Sequence, residues 1–348
     1  VGLDIGSSAV KAVELKPSGR GHRVTAFGAE PLPPDAIVDG AIMDGAAVAE
    51  AIRRLLDGRG FKTREVATSL SGSAVIVKKI TLPLMTAAEL ADSIYWEAEQ
   101  YIPFDIQDVN LDYEILESGA PAPAGAGAKG TMDVLLVAAK KEKIGDYTSV
   151  IAQAGRVPVV VDVDGFALQN AYEANYGSTP GAVVVLLNAG ASSINVNVLS
   201  GERSVFSRDI SIGGNTYTEA LQKELHVPYE SAEQLKRGAR VEGVGTEEAA
   251  PVLRAVTENV VLEIQKTFDF FKGASSAERI DRIVLTGGSA QVEGFRKALD
   301  DRFGTPVEPL DPFRRIAFDA RKLASDQADA THTAAVAVGL ALRRAGDR

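Results

Sequence analysis

VGLDIGSSAVKAVEL (residues 1–15) and VVVLLNAGASSINVNVL (residues 183–199) are two copies of one pattern. In each, an apolar run leads into a small-residue turn and a second β-rich run leaves it, the signature of a tight strand-turn-strand unit. Val1, Leu3 and Ile5 make the first run, and residues 183–187 the second. Residue by residue, Asp4, Gly6, Ser7 and Ser8 match Asn188, Gly190, Ser192 and Ser193, with Ala191 as one extra residue after the second glycine. Glycine lets a ligand approach the backbone, successive N–H groups form a concave anion site, and serine hydroxyls add donors without bulk. One such turn reads equally as an ordinary hairpin. Two facing each other are expected to grip a polyphosphate.

A third glycine-rich turn, RIVLTGGSAQVEGF (residues 282–295), follows a β-rich run and opens a helix, so its N–H groups and helix dipole are expected to face a nucleotide. Its adjacent glycines exclude the dinucleotide G-x-G-x-x-G fingerprint. In content and order the three stretches resemble the actin-like ATPase superfamily, which includes actin, the Hsp70 ATPase domain, sugar kinases and the division protein FtsA. The resemblance implies a two-lobed α/β fold of ribonuclease H-like halves. It places phosphate loops at residues 4–8 and 188–193, and an adenosine loop at Gly287, Gly288 and Ser289.

Composition narrows the function. The 348 residues suffice for two domains with full cores, and 45% hydrophobic with 24% charged residues is ordinary for a soluble globular protein. A formal charge of -10 argues against nucleic acid, whose affinity rests on Lys and Arg displacing counterions. The chain has no cysteine, which excludes disulfides, thiolate metal sites and a cysteine nucleophile. His22, His226 and His332 are scattered without ligand spacing and take no role. No run reaches the roughly 18 apolar residues of a membrane span, and no basic-then-apolar leader opens the chain, so a soluble protein is expected. It begins directly on a strand without methionine, so further N-terminal residues are expected.

Along the chain, residues 23–27 read as a third strand and 46–56 as a helix with Val48, Ile52 and Leu55 on one face. Residues 66–70 and 75–82 read as strands, the second ended by Pro83. Thr86 and Glu89 form a capping box ahead of a helix whose Leu90, Ile94, Ala98 and Tyr101 share a side, and which Pro103 stops. Residues 109–116 and 132–138 read as paired strands. Between them, GAPAPAGAGAKG (119–130) has the composition of a mobile surface loop. Periodicity thus sets an α+β unit, strand-helix-strand-strand-helix over 80–156, within the first lobe.

The stretches YWEAEQYIPFDIQDVNLDYEIL (95–116), MDVLLVAAKKE (132–142), PVVVDVDGFALQNAY (158–172), DPF (311–313) and GLALR (339–343) narrow the resemblance, over nearly the whole chain. They are similar to the PilM family, cytoplasmic actin-like proteins of type IV pilus assembly. The resemblance implies a first lobe of 1–79 and 157–180 with a closing helix at 331–345, and an FtsA-like inserted subdomain at 80–156. The second lobe is then 181–220 and 280–330, with a helical subdomain at 221–279. It further implies a nucleotide-bound adaptor, peripheral at the inner membrane, that holds the N-terminal cytoplasmic tail of PilN between the first lobe and the insert. Tyr95, Trp96, Tyr101 and Phe104 are the candidate anchors, although Tyr95 and Trp96 read equally as core of the small subdomain.

In the second lobe, residues 208–214 lead into helices at about 216–225 and 230–237, the first opening near Gly214, which is expected among the nucleotide-binding residues. Glu233 and Lys236 share a helix face, where a solvated ion pair is the plain alternative to the ribose and base contacts that the resemblance implies. A long helix over 253–271 carries a core stripe, and a last apolar helix over about 333–344 is expected between the lobes.

Hydrolysis in the superfamily needs magnesium on the phosphates and a group that places water. The resemblance assigns ATP or ADP and Mg2+ as ligands, with Asp4 holding the ion through waters. Asp164 is the candidate for orienting water, or else simply caps the helix after it. Lys11 lies near the phosphates or on the exposed face of its hairpin. Asn188 departs from the superfamily, which usually has aspartate there; an amide binds but brings no negative charge, so binding with weak or no turnover is expected. Two other readings stand beside the adaptor. A sugar-kinase-type phosphotransferase needs a base and sugar cleft that only Asp164 suggests, and an FtsA-like filament protein needs a C-terminal amphipathic membrane helix.

Overall fold

The computed structural model describes residues 1–118, 130–274, 279–319 and 329–347. The stretch expected to be a mobile loop lies, except for Gly130, outside the described residues. The first lobe opens with a meander of β1 (Gly2–Ile5), β2 (Ala9–Ser18) and β3 (Gly21–Pro31), then a small hairpin of β4 (Ile37–Val38) and β5 (Ala41–Ile42), helix α1 (Gly45–Gly58) and β6 (Glu65–Leu70). The insert follows as β7 (Val75–Pro83), α2 (Ala87–Glu99), β8 (Val109–Ser118) and β9 (Thr131–Lys140). Next come α3 (Lys141–Gln153), β10 (Val157–Val163) and α4 (Asp164–Tyr176). The second lobe runs through β11 (Val183–Ala189), β12 (Ile194–Ser200), β13 (Arg203–Ile210), α5 (Gly214–Leu225), α6 (Tyr229–Lys236) and α7 (Thr246–Ala274). It closes with β14 (Arg282–Thr286), α8 (Phe295–Phe303) and β15 (Val307–Pro309), and α9 (Ala335–Ala341) returns to the first lobe.

The duplication seen in two hairpins extends over five strands. One sheet runs β3-β2-β1-β6-β10 and the other β13-β12-β11-β14-β15, and in both an antiparallel meander is followed by two parallel strands. The register also corrects the matching of the turns. Ile5 pairs with Val10 and Ala189 with Ile194, while the Gly6 amide donates to Ala9 O at 3.2 Å and the Gly190 amide to Ser193 O at 2.9 Å. Both turns therefore have the same length, and Ala191 is not an insertion. Matching serine to serine misplaced the gap. Backbone pairing sets Ser7 against Ala191, Ser8 against Ser192, and Lys11 against Asn195.

Helices α4 and α9 lie between the two sheets. Leu168 and Tyr172 of α4 and Ala335 of α9 pack on Val184, Leu186 and Val284 of the second sheet. On the other side Ala171, Ala337 and Val338 pack on Val13 and Phe27 of the first. The closing helix is shorter than its apolar run, because residues 329–333 form a 3-10 turn. Small residues set the spacing. A Cβ on Gly339 would lie 1.6 Å from the carbonyl oxygen of Ala167, and one on Gly2 would lie 2.0 Å from that of Ala337.

The insert is a three-stranded sheet, β7-β9-β8, covered by α2. Both bonds of the capping box form: Thr86 accepts from the Glu89 amide at 3.2 Å, and Glu89 accepts from the Thr86 amide at 2.7 Å. Leu90, Ile94 and Ala98 are buried against Ile80, Val134 and Leu136. The five elements expected over 80–156 are present, but the last, α3, packs elsewhere. Its Tyr147, Val150 and Ile151 join the core of α1 and the first sheet. The four aromatics also divide, since Tyr101 and Phe104 pack on the insert's core while Tyr95 and Trp96 point to solvent.

Gly339→Ala, which forces a methyl into the Ala167 carbonyl, should destabilise the protein by at least about 1–3 kcal/mol, as overpacking does. By contrast Gly145 of α3 has nothing within 4 Å of its Cβ position, so Gly145→Ala should stabilise by about 0.5–1 kcal/mol. Denaturant unfolding of both variants checks the pair; equal effects would contradict this packing.

Candidate functional site

The parallel ends of both sheets converge, so their turns meet across an interlobe cleft of about 560 Å³. The contact is direct: Ser7 Oγ and Ser192 Oγ share a hydrogen bond of 2.5 Å. Asp4, Gly6, Ser7, Ser8 and Lys11 line one side of the cleft, and Asn188, Gly190, Ala191, Ser192 and Ser193 the other. Among the described residues the amides of Ser7, Ser8, Ala191 and Ser192 have no acceptor. Gly287, Gly288 and Ser289 form a third wall, with Glu233 and Lys236 beside them.

Each glycine at these turns has a local reason. Gly287 sits at φ +94, and a Cβ there would lie 2.3 Å from Ala189 O, so β14 can turn over β11 only without a side chain. After it the chain makes a short 3-10 turn, and α8 starts only at Phe295, so the expected helix N-terminus does not stand at the two glycines. A Cβ on Gly190 would meet Ser193 O at 2.8 Å. Gly214 lies behind the wall, where its amide donates to Gly190 O at 3.0 Å and a Cβ would meet Ser289 Oγ at 2.6 Å. It supports the second turn.

The charged residues are arranged in two groups. Lys11 pairs with Asp4 at 2.9 Å, both largely buried, which places Lys11 at the cleft and not on an open face. Glu233 and Lys236 pair as helix spacing implies, but the pair is not a solvated one. Lys236 is 8% exposed and also donates to Thr218 Oγ1 at 2.9 Å and Gly214 O at 3.3 Å. Burial holds its pKa below the ordinary lysine value, against the opposing pull of Glu233.

Asp164 is the first residue of α4, whose N-cap is Val163 without a side-chain cap bond. Its carboxylate instead accepts from Ser69 Oγ at 2.5 Å and faces the cleft, which removes the capping alternative. Burial, with the nearby Asp4 charge, pushes its pKa up to about 6.

Sequence reasoning missed a connection behind the second turn. Asp209 of β13 accepts from the Gly72 amide and, at 2.7 Å, from Asn195 Nδ2. Lys143 of α3 donates to the adjacent Ser71 O, and burial lowers its pKa while Asp164 and Asp209 oppose that. Asn195 is 5% exposed and lines the cleft with its Oδ1 unpaired, among the described residues. Only the matching of Asn195 to Lys11 could have pointed to it. Asn215, Tyr229, Arg237 and Gln291 complete the wall by long-range folding, without a local signal.

Asp164 yields a pH dependence of known sign. Its folded pKa lies above the unfolded value of 3.8, so the native state holds an extra proton between the two. Stability from this group is therefore highest below about pH 4, falls as pH rises to about 6 and is then flat. Asp164→Asn keeps an acceptor for Ser69 and should remove that slope, adding about 3 kcal/mol at pH 7 to the nucleotide-free protein. Denaturant unfolding from pH 4 to 7 checks this, and parallel curves for parent and variant would refute it.

Comparison with known proteins agrees with the duplicated architecture. Residues 2–345 match the family model described as type IV pilus assembly protein PilM. A chain of the PilM-PilN type IV pilus biogenesis complex is 31% identical with a TM-score of 0.83, covering 98% of this chain and 97% of that one. The ethanolamine utilization protein EutJ from Carboxydothermus hydrogenoformans is 15% identical, with a TM-score of 0.56 over 98% of this chain and 88% of its own. MreB5 of Spiroplasma citri, bound to ADP, is 13% identical, with a TM-score of 0.51 over 97% and 93%. The last two share the fold, which is that of the actin-like ATPases.

Proposed function

The chain belongs to the PilM family of type IV pilus assembly proteins, and from that premise we propose that it is a nucleotide-binding adaptor of the inner-membrane assembly platform. It binds ATP or ADP with Mg2+ between its lobes and holds the N-terminal cytoplasmic tail of PilN. The observation that carries the reading is the pair of equal turns that meet at the cleft, with four unbonded amides and Lys11 among the residues that line it. That donor set suits a polyphosphate. Glu233 and Lys236, already fixed by Thr218, are placed for the ribose and base beside Gly287, Gly288 and Ser289.

The cleft also suits a hydrated magnesium ion. Among the described residues no three His, Cys, Asp or Glu side chains are arranged to hold a metal directly. Asp4 and the unpaired Asn195 Oδ1 are acceptors for metal-bound water. A bound ion would neutralise phosphate charge. The side chains themselves bind and orient: Lys11 holds Asp4 in place, and Asp164 reaches the cleft as a weak base with a pKa near 6. Asn188, at the end of β11, brings no charge. Turnover is accordingly slow or absent, and the protein acts by holding its ligands.

Partner binding rests on the match to the PilM-PilN complex, and the first lobe with its insert is the proposed seat of the PilN tail. Among the described residues no helix is long and apolar enough to cross a membrane. Placement at the cytoplasmic face of the inner membrane therefore comes through partners.

Gly190→Val should weaken binding of a fluorescent ATP analogue at least about a hundredfold, because the side chain meets Ser193 O and closes the turn. Unchanged affinity in a folded variant would end the nucleotide assignment. Asn188→Asp should raise phosphate release above the parent rate if missing charge limits hydrolysis. Calorimetry with an N-terminal PilN peptide tests the adaptor role separately, and no binding with or without ATP would refute it.

A further inference from the structure

The outer face of α2 carries two aromatic side chains that the insert's core does not use. Trp96 is 78% exposed, the most of any large apolar side chain described, and Tyr95 is 53% exposed. A buried tryptophan is the rule and a nearly bare one on a rigid helix is the informative exception. Of the other exposed aromatics, Phe270 packs on Phe206 and under Arg208, and Tyr229 lines the cleft.

The charge around the pair is one-sided. Helix α2 contains Glu89, Asp92, Glu97 and Glu99 and no lysine or arginine. Residues three and four apart are neighbours on a helix, so Asp92 lies one turn before Tyr95 and Trp96, and Glu99 one turn after them. Among the described residues no cation pairs with Asp92 or Glu99. Among the described residues the cations of the insert's strands are committed elsewhere. Lys78 lies over Tyr101 at 5.1 Å, Lys140 over Phe104 at 4.3 Å, Lys79 pairs with Asp133 at 2.7 Å, and Lys141 donates to Gln107 O at 2.7 Å.

We propose that this face of α2 is a docking surface for an arginine-bearing protein segment, distinct from the nucleotide cleft. A guanidinium satisfies both features at once, stacking flat on Trp96 while donating to Asp92 or Glu99. The same charge repels anionic lipid and nucleic acid. A rigid helix held by a complete capping box and a packed inner face presents the pair without an ordering cost.

Trp96 is the chain's only tryptophan, so its fluorescence reads this surface alone. The probe is a synthetic peptide repeating leucine and arginine at helical spacing, titrated into the whole nucleotide-free protein at low salt. Quenching is expected, weakening as salt rises. The double reversal Asp92→Lys with Glu99→Lys should lower affinity about tenfold, as should Trp96→Phe followed by calorimetry. Phe270→Ala, at an exposed aromatic elsewhere, should change nothing. All four positions are exposed, so these variants should fold, and circular dichroism verifies it. The inference is overturned if the peptide leaves Trp96 unquenched, or if the charge reversal binds as tightly as the parent. It is equally overturned if the face instead binds anionic vesicles, or seats a second copy of the chain, as sedimentation would reveal. None of these measurements requires bound nucleotide or uses a PilN peptide.

Discussion

The two turns can share one cleft only because the helices between the sheets approach to backbone contact. At Gly339 the distance from α9 to the Ala167 carbonyl leaves no room for a single methyl, and Gly2 repeats the constraint between β1 and α9. Alanines at 167, 171, 335 and 337 continue the same close seam. Larger side chains would separate the helices and with them the sheets that each helix covers. The 2.5 Å contact between Ser7 and Ser192 tolerates no such separation. Small residues far from the cleft thus set its width.

Within that frame the electrostatics divide into a fixed part and a responsive part. Asp4 with Lys11, and Glu233 with Lys236, are paired already and hold their positions without a ligand. Asp164 is different, because burial and the Asp4 charge lift its pKa to about 6, so that it is mostly ionised at neutral pH and takes up a proton just below it. A cation entering the cleft would favour its ionised form. The donors proposed for phosphate, in contrast, are backbone amides held in place by two turns of equal length. Binding groups are therefore built into the fold, and the titrating group stands apart from them.

What was legible in the sequence was local. The hairpins, the capping box at Thr86 and the stripe on α1 each follow from residues within a few positions of one another, and each has the form expected. The order of the three glycine turns sufficed for the superfamily, and stretches such as residues 95–116 narrowed it to the family. Long-range facts were not legible. The Asp209 carboxylate meets the Gly72 amide across 137 positions, and α3 continues the insert in sequence while burying its apolar face in the first lobe. Nor could the equal length of the turns be read from letters, because hydrogen-bond register counts backbone atoms whereas the eye pairs serines. For Lys236 a solvated ion pair stayed open as an alternative, because spacing identifies its neighbour Glu233 but not the closure of α5 over it.

The Asp209 connection has a mechanical meaning that follows from its two ends. One oxygen holds the Asn195 amide on β12, inside the cleft, and the other holds the Gly72 amide, immediately before the first strand of the insert. That strand, β7, also packs against β13, on which Asp209 stands. Gly72 itself is at φ +83, a conformation that fixes the turn into β7. A half-buried carboxylate held between two donors loses a charge-assisted bond if either donor leaves, and such bonds are about twice as strong as neutral ones. The second-lobe hairpin and the root of the insert consequently move together or break this joint. The cleft wall and the root of the insert are joined through one side chain, although 137 positions of sequence separate the residues that meet.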